Sequence, residues 1–415
     1  MISGTKPERR RLKYVATIND ETLGEETDPY YELKYVDIGN VDSSGKINVI
    51  TTYRFGEAPS RARRRVRDGD VIISCVRTYL QAIAAIQNPP DNLVVSTGFA
   101  VIRPRPSVMD SSFVKYALRE PSFLAEVEIR SLGVSYPAIT ASALRDMPIC
   151  VPRHQHQGHL AEYLDRQMAR LDTLTAEKER VLSLLAEKRQ TLISHAVMRG
   201  LDPGASLRDS ELPWIGEIPD NWETRRIAWL FRERDERGDP DLPLLEVSIK
   251  YGVSVREFSG DRIETTAADF NTYKIARRGD VVFNKMRMWQ GAVGVAPQDG
   301  LVSPDYVVAA PTGSLLPQYA GLLFRTDRFS AECARRSHGI VWDRLRLYWG
   351  GFRDIEVPLP PVRVQQLITD HVVEATRRID ELVGAAKAAI ALLRERRAAL
   401  IAAAVTGSIA VGGAP

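Results

Sequence analysis

The feature that most limits how this chain can fold is a proline-free stretch of helical periodicity that occurs twice. Residues 155–199 place Leu164, Leu171, Leu185 and Leu192 on one seven-residue frame, with Leu174 and Val181 as second-seam partners. Lys178, Lys188 and His195 interrupt that frame. About 44 residues at 1.5 Å rise predict a rod of roughly 65 Å, too long for one compact domain. Its polarity excludes a membrane span. Residues 364–406 repeat the pattern. Arg170-Leu171-Asp172-Thr173-Leu174 matches Arg378-Ile379-Asp380-Glu381-Leu382 at a shift of 208 (378 against 170). The same shift carries Glu187-Lys188-Arg189 onto Glu395-Arg396-Arg397 and Leu192-Ile193 onto Leu400-Ile401. Ile379, Leu393 and Leu400 form the second seam, where Ala375, Ala386, Ala389 and Ala403 let another helix approach closely.

The segments between the rods also repeat. Arg67-Asp68-Gly69-Asp70-Val71-Ile72 matches Arg277-Arg278-Gly279-Asp280-Val281-Val282, a turn feeding an apolar strand. Val95 to Val101 matches Val302 to Val308, and Gly133, Tyr136, Ile149 and Pro152 match Gly339, Trp342, Ile355 and Pro358. The shifts drift from 210 to 206 at turns, where insertions are tolerated. The expected organisation is mixed α/β. Two similar globules (residues 1–152 and 201–360) are separated by two long helices (153–200 and 361–407) that pair as an antiparallel coiled coil. Residues 408–415 are expected to form a flexible tail. Leu212-Pro213-Trp214-Ile215-Gly216-Glu217-Ile218-Pro219 opens the second globule and, with Trp222, predicts an ordered lid on a core.

Recognisable catalytic signatures do not emerge. The sequence has no G-x-x-x-x-G-K-[ST] phosphate loop. Asn88-Pro89-Pro90 is followed by Asp91, where an amino-methylating enzyme would carry a base-stacking aromatic, so it reads as a turn. Pro240-Asp241 with Glu246 and Lys250 has the wrong interval for a nuclease. His154, His156 and His159 cluster at the start of a helix without a fourth ligand, which favours a solvated helix start over a metal site. Cys75, Cys150 and Cys333 are odd in number and unpatterned, as fits a reducing cytoplasm.

A formal charge of only +3 permits nucleic-acid binding only if the cations are clustered, and they are. Arg61, Arg63, Arg64, Arg65 and Arg67 crowd before the Gly69 turn, while Arg9, Arg10, Arg11 and Lys13 lie near residue 1. Asn284 to Gln290 mixes cations, an amide and an aromatic, suited to phosphate anchoring and base-edge hydrogen bonds. At the 210 shift, Arg77, Tyr79 and Leu80 stand opposite Arg287, Trp289 and Gln290. Candidate ligand-facing residues are thus Arg61, Arg63, Arg64, Arg65, Arg77, Tyr79, Lys285, Arg287, Trp289 and Gln290. The bland alternatives are a solvated arginine turn, and burial of Met286 and Trp289 in the core.

Taken in order, the Trp214–Pro219 opening, Phe283 to Gly291, Ser303-Pro304-Asp305-Tyr306, Gly133 to Ile139, Val357-Pro358-Leu359-Pro360 and the two helix ends resemble the DNA-specificity subunit of type I restriction–modification systems. The first copy departs by lacking the Trp-Ile-Gly-Glu-Ile-Pro opening. The resemblance covers nearly the whole chain and implies a non-catalytic, cytoplasmic reader of double-stranded DNA. Each globule would read one half of a split site. The paired helices would set the gap and dock methyltransferase subunits, which restriction subunits join. No cofactor is expected on this chain; S-adenosylmethionine, ATP and Mg belong on the partner subunits. The competing readings are a coiled-coil scaffold that binds proteins with no DNA sequence preference, and an enzyme using the His154 cluster.

Overall fold

A computed structural model describes residues 7–239, 241–256, 270–339 and 345–409. Pro240, Trp342 and the end of the expected tail, residues 410–415, lie outside the described residues. The chain divides into two compact units, residues 1–179 with 387–415, and residues 180–386. The two long helices pass through both.

In the first unit, the strands β1 (Glu8–Arg11), β2 (Ala16–Ile18), β3 (Glu32–Val36), β4 (Thr51–Arg54), β5 (Ala62–Arg65), β6 (Val71–Ser74), β7 (Ile83–Ala85), β8 (Leu93–Ser96), β9 (Phe99–Pro104) and β10 (Pro148–Val151) build two four-stranded sheets and one pair. The sheet orders are β2-β9-β6-β7 and β4-β3-β8-β5, with β1 paired to β10. The short helix α1 (Leu12–Val15) links β1 to β2, and α2 (Ser111–Ala117), α3 (Pro121–Arg130) and α4 (Ala141–Arg145) follow β9. Asp110, Glu120 and Thr140 cap the last three by accepting a backbone amide. Strands β6 and β8 are buried throughout, which is why they read as unbroken apolar runs. The first long helix, α5, spans His154–Arg199.

In the second unit come β11 (Leu207–Asp209), β12 (Glu217–Pro219), β13 (Glu223–Arg226), β14 (Phe231–Arg234), β15 (Leu245–Ser248), β16 (Gly252–Val255), β17 (Lys274–Ala276), β18 (Val281–Asn284), β19 (Val293–Val295), β20 (Gly300–Val302), β21 (Tyr306–Pro311) and β22 (Glu356–Leu359). With them are α6 (Ile227–Leu230), α7 (Pro317–Leu323), α8 (Asp327–Arg335), α9 (Trp349–Arg353) and the second long helix, α10 (Val362–Val405). The sheet β14-β21-β18-β19 reproduces β2-β9-β6-β7 strand for strand. Pairs β15–β16 and β17–β20, joined by a parallel bridge from Leu244 to Leu301, echo the other sheet of the first unit. Ile215, Ile218 and Trp222 of the opening segment are core residues, and Trp214 meets Phe329 edge-on at 5.5 Å.

Buried polar groups repeat with the framework. Asp70, 1% exposed, accepts the Arg67 amide at 2.8 Å and two hydrogen bonds from the Arg103 guanidinium, at 2.9 and 2.8 Å. Arg103 also reaches Glu21 at 2.7 Å. Asp280 likewise accepts the Arg277 amide and the Arg234 guanidinium, which also reaches Glu236. The carboxylates occupy matching places, but the arginine comes from β9 in one unit and from β14 in the other. Burial raises the Glu21 carboxyl, yet Arg103 and Arg67 more than offset this and hold it below its ordinary value. At Asp280 burial prevails and pushes the carboxyl up, against the pull of Arg234 and the Arg277 amide.

Each long helix is fastened to its globule by a buried glutamine. Gln157 accepts the Asp110 amide and donates to the carbonyls of Val108 and Pro152. Gln365 accepts the Leu316 amide and donates to Ser314 and Pro360. The helices pack on each other within each unit. Leu160, Leu164, Met168 and Leu171 share a core with Ile401, Ala404 and Val405, and Ala196, Val197 and Met198 share another with Ile368 and Val372. Asp172 pairs with Arg397, and Arg189 pairs with Asp380 at 2.7 and 3.0 Å. Advancing 17 residues along α5, from 172 to 189, moves the partner back 17 along α10, from 397 to 380. That is antiparallel pairing.

Of the seam, Leu164, Leu171 and Ile379 are buried, while Leu185, Leu192, Leu393 and Leu400 are half-buried. Val181, expected as a second-seam partner, is instead 41% exposed. A two-helix pair covers only a narrow stripe, and Val181 falls outside it.

Candidate nucleic-acid interface

The residues singled out by the repeat lie on one loop in each unit. In the first, β6 ends at Ser74, whose hydroxyl donates to the Val76 carbonyl at 2.6 Å. Arg77 and Gln81 then bracket a single 3-10 turn, Thr78–Leu80, and both adopt left-handed backbone, with φ of 54° and 51°. In the second, β18 leads into the 3-10 turn Met288–Gln290, closed by Gly291 at φ 81°. Left-handed backbone strains any residue but glycine, so the first loop holds its shape against a cost the second avoids.

A further stretch backs each loop. The Ile139 amide donates to the Cys75 carbonyl, and the Leu347 amide donates to the Lys285 carbonyl. In the first unit the backing runs from Ser131 to Ile139. Val76 and Leu132 bridge to Ala138, the Arg77 amide donates to Pro137, and the Thr78 and Ser131 hydroxyls meet at 2.9 Å. The Arg77 guanidinium lies over the Tyr136 ring, 4.8 Å from its centre. Tyr79 is 54% exposed.

In the second unit Arg287 and Gln290 are exposed, and the Lys285 ammonium donates to the Pro304 carbonyl at 3.3 Å. The Trp289 indole donates to the Met286 carbonyl. Burial falls on Met288; of the two residues that the bland alternative places in the core, Met286 is 41% exposed and Trp289 is half-buried. Trp289 and Gln290 line an open cavity of about 570 Å³ together with Asp327, Ser330 and Arg335 of α8.

The arginine run does not act as one patch. Strand β5 lies at the edge of its sheet, and a bulge between Ala62 and Arg64 sends neighbouring side chains in different directions. Arg61 and Arg65 are exposed. Arg63 stacks on Phe55, 4.3 Å from the ring centre. Burial lowers the affinity of the Arg64 guanidinium for its proton, and Arg67 is ion-paired to Glu21. The turn after β8 connects Arg61 to the Arg77 loop, since Arg61 accepts the Thr97 amide and Gly98 accepts that of Cys75. Burial pushes the Cys75 thiol up to about 11, so it stays protonated at neutral pH. Among the described residues no three His, Cys, Asp or Glu side chains are placed to hold a metal ion, His154, His156 and His159 included. Among the same residues no helix is long and apolar enough to cross a membrane.

Tyr136, Val134 and Leu132 were not among the candidates from sequence. The recurrence of Gly133 and Tyr136 as Gly339 and Trp342 was the available signal.

Two units of one topology on paired long helices, each with an equivalent solvent-facing loop, make a fold shared with solved structures from type I restriction–modification systems. A chain from a structure titled "Structural basis underlying complex assembly and conformational transition of the type I R-M system" superposes with a TM-score of 0.74 at 21% identity, covering 98% of this chain and 99% of that one. The crystal structure of the HsdS subunit from Thermoanaerobacter tengcongensis matches with a TM-score of 0.50 at 23% identity, covering 97% of each. In sequence the chain is 22% identical over 307 residues to the type I restriction enzyme EcoDI specificity subunit of Escherichia coli. The match takes in 67% of this chain and spans 64% of that relative's length. No family model matches the chain.

Proposed function

We propose that this protein is the DNA-reading subunit of a type I restriction–modification complex. Residues 1–152 and 201–360 each read one half of a bipartite, asymmetric site in double-stranded DNA. The observation that carries this is the loop pair. At the same end of the same sheet a guanidinium and an aromatic recur (Arg77 and Tyr79, Arg287 and Trp289), while Thr78 and Leu80 give way to Met288 and Gln290. A kept framework with altered neighbours is what reading two different sequences requires. Arginine on guanine and glutamine on adenine each contribute about 1–3 kcal/mol of discrimination. Arg61 and Arg65 supply phosphate contacts.

The paired helices set the gap between half-sites and dock methyltransferase subunits, to which restriction subunits add. Large apolar side chains exposed along them, among them Val181, Leu184, Val373, Leu382 and Leu392, support that docking. The chain itself is non-catalytic and cytoplasmic; methyl transfer and ATP-driven steps belong to the partners.

Fluorescence anisotropy on duplexes across a salt series tests the reading. Specific binding should weaken steeply with salt, and a shallow dependence without sequence preference would instead support a protein-binding scaffold. Arg287→Ala should relax specificity at one half-site only, by roughly 10- to 100-fold at one base pair. Equal losses at both halves would contradict the two-reader arrangement.

A further inference from the structure

The first unit carries, around Arg77, a cluster of large apolar side chains open to solvent. Val134 is 103% exposed, Leu132 80%, Ile129 77%, and Tyr136 61%. Val134 stands at the tip of a loop fixed at its base by the Leu132–Ala138 bridge and turned at Gly133, whose φ is 109°. That loop is tied to the Arg77 turn by the Thr78–Ser131 hydroxyls and the Arg77–Pro137 hydrogen bond. The Arg287 turn of the second unit matches the Arg77 turn, and the residues that match the apolar tip, 340–342, lie outside the described residues. A rigid apolar tip beside a stacked guanidinium suits a surface offering both methyl groups and hydrogen-bond acceptors. The major groove where an A·T pair adjoins a G·C pair is such a surface, because thymine projects its C5-methyl there next to the N7 and O6 acceptors of guanine.

We propose that the 131–138 loop is a second reading element of the first unit, with Val134 and Leu132 packing against thymine methyl groups while Arg77 reads an adjacent purine. This rests on the DNA-reading function proposed above and adds the chemistry of one half-site. Val134 is the sharper probe because truncating a fully exposed side chain leaves the core untouched.

The test uses the full chain assembled with its methyltransferase partners, on the bipartite site found by mapping methylated bases. The first unit's half is the one whose consensus changes in Arg77→Ala. Each thymine in that half is replaced in turn by deoxyuridine, which removes only the methyl group. Wild-type affinity should fall about fourfold at one or two thymines, the worth of one buried methyl group. Val134→Ala should lose a similar factor and no longer respond to deoxyuridine at one of those positions. Uniform insensitivity of the wild type, a Val134→Ala protein still sensitive at every thymine, or a half-site without an A·T pair would overturn the proposal. So would a Val134→Ala protein that binds DNA normally but fails to assemble with the methyltransferase, since the patch would then be a protein contact. Absence of any sequence preference in the wild type would instead defeat the DNA-reading function itself.

Discussion

At Arg77 a non-glycine residue is held at φ 54° while its guanidinium lies on Tyr136, so backbone and side chain are both fixed before any ligand arrives. Preorganisation of this kind lowers the ordering cost of binding. Tyr136→Phe keeps the ring and should bind within about twofold of wild type. Tyr136→Leu frees the arginine and, on the proposed reading, should lose roughly fivefold in affinity, with relaxed preference at one base pair. Equal binding by Phe and Leu variants, measured by anisotropy, would show that the stack positions nothing. Residues of the Arg77 and Arg287 type were legible because the repeat put them in register. The half-buried Arg103 and Arg234 were not. Asp70 and Asp280 align in sequence, but their arginines come from different strands, β9 beside β6 in one unit and the edge strand β14 beyond β21 in the other, and alignment along the chain cannot see a partner that has changed strand.

The long helices were legible as helices, since no proline interrupts the stretch from His154 to Arg199. Their faces were less so. Leu164 and Leu171 are buried because that end of α5 packs on the globule as well as on α10, whereas the middle of the helix has only one neighbour. Heptad spacing marks a stripe but not what lies against it. The Asp172–Arg397 and Arg189–Asp380 pairs are the same two repeat positions used crosswise. Reversing one, Asp172→Arg, should cost under about 1 kcal/mol, because the carboxylate is 55% exposed, and adding Arg397→Asp should restore most of it. A double-mutant cycle with no coupling would count against the pair. Gln365→Leu should cost more, about 3 kcal/mol in urea unfolding, since it strands one amide and two carbonyls. A cost below about 1 kcal/mol would mean that water replaces the side chain.

For the whole molecule, the duplicated order of elements could be read from three short matches, and their drift fell in turns as expected of insertions. The leading strands escaped notice because α1 and α6 stand 215 residues apart (227 against 12), outside the shifts that aligned the rest. The gap-setting role makes its own prediction. Seven residues inserted in both helices, after Glu179 and after Lys387, add about 10 Å while keeping the seam on the same face. The preferred gap should then lengthen by about three base pairs with both half-sites unchanged; methylation mapping would register the change, and an unaltered gap would remove the helices from that role. Gln157 and Gln365 carry a broader implication. Every atom they grip belongs to the main chain, so the joint places no demand on the side chains at its three partner positions. It works like a drill chuck that holds any bit of the right shank, leaving each globule free to evolve a new cutting edge, or to be exchanged for another, without remaking the handle.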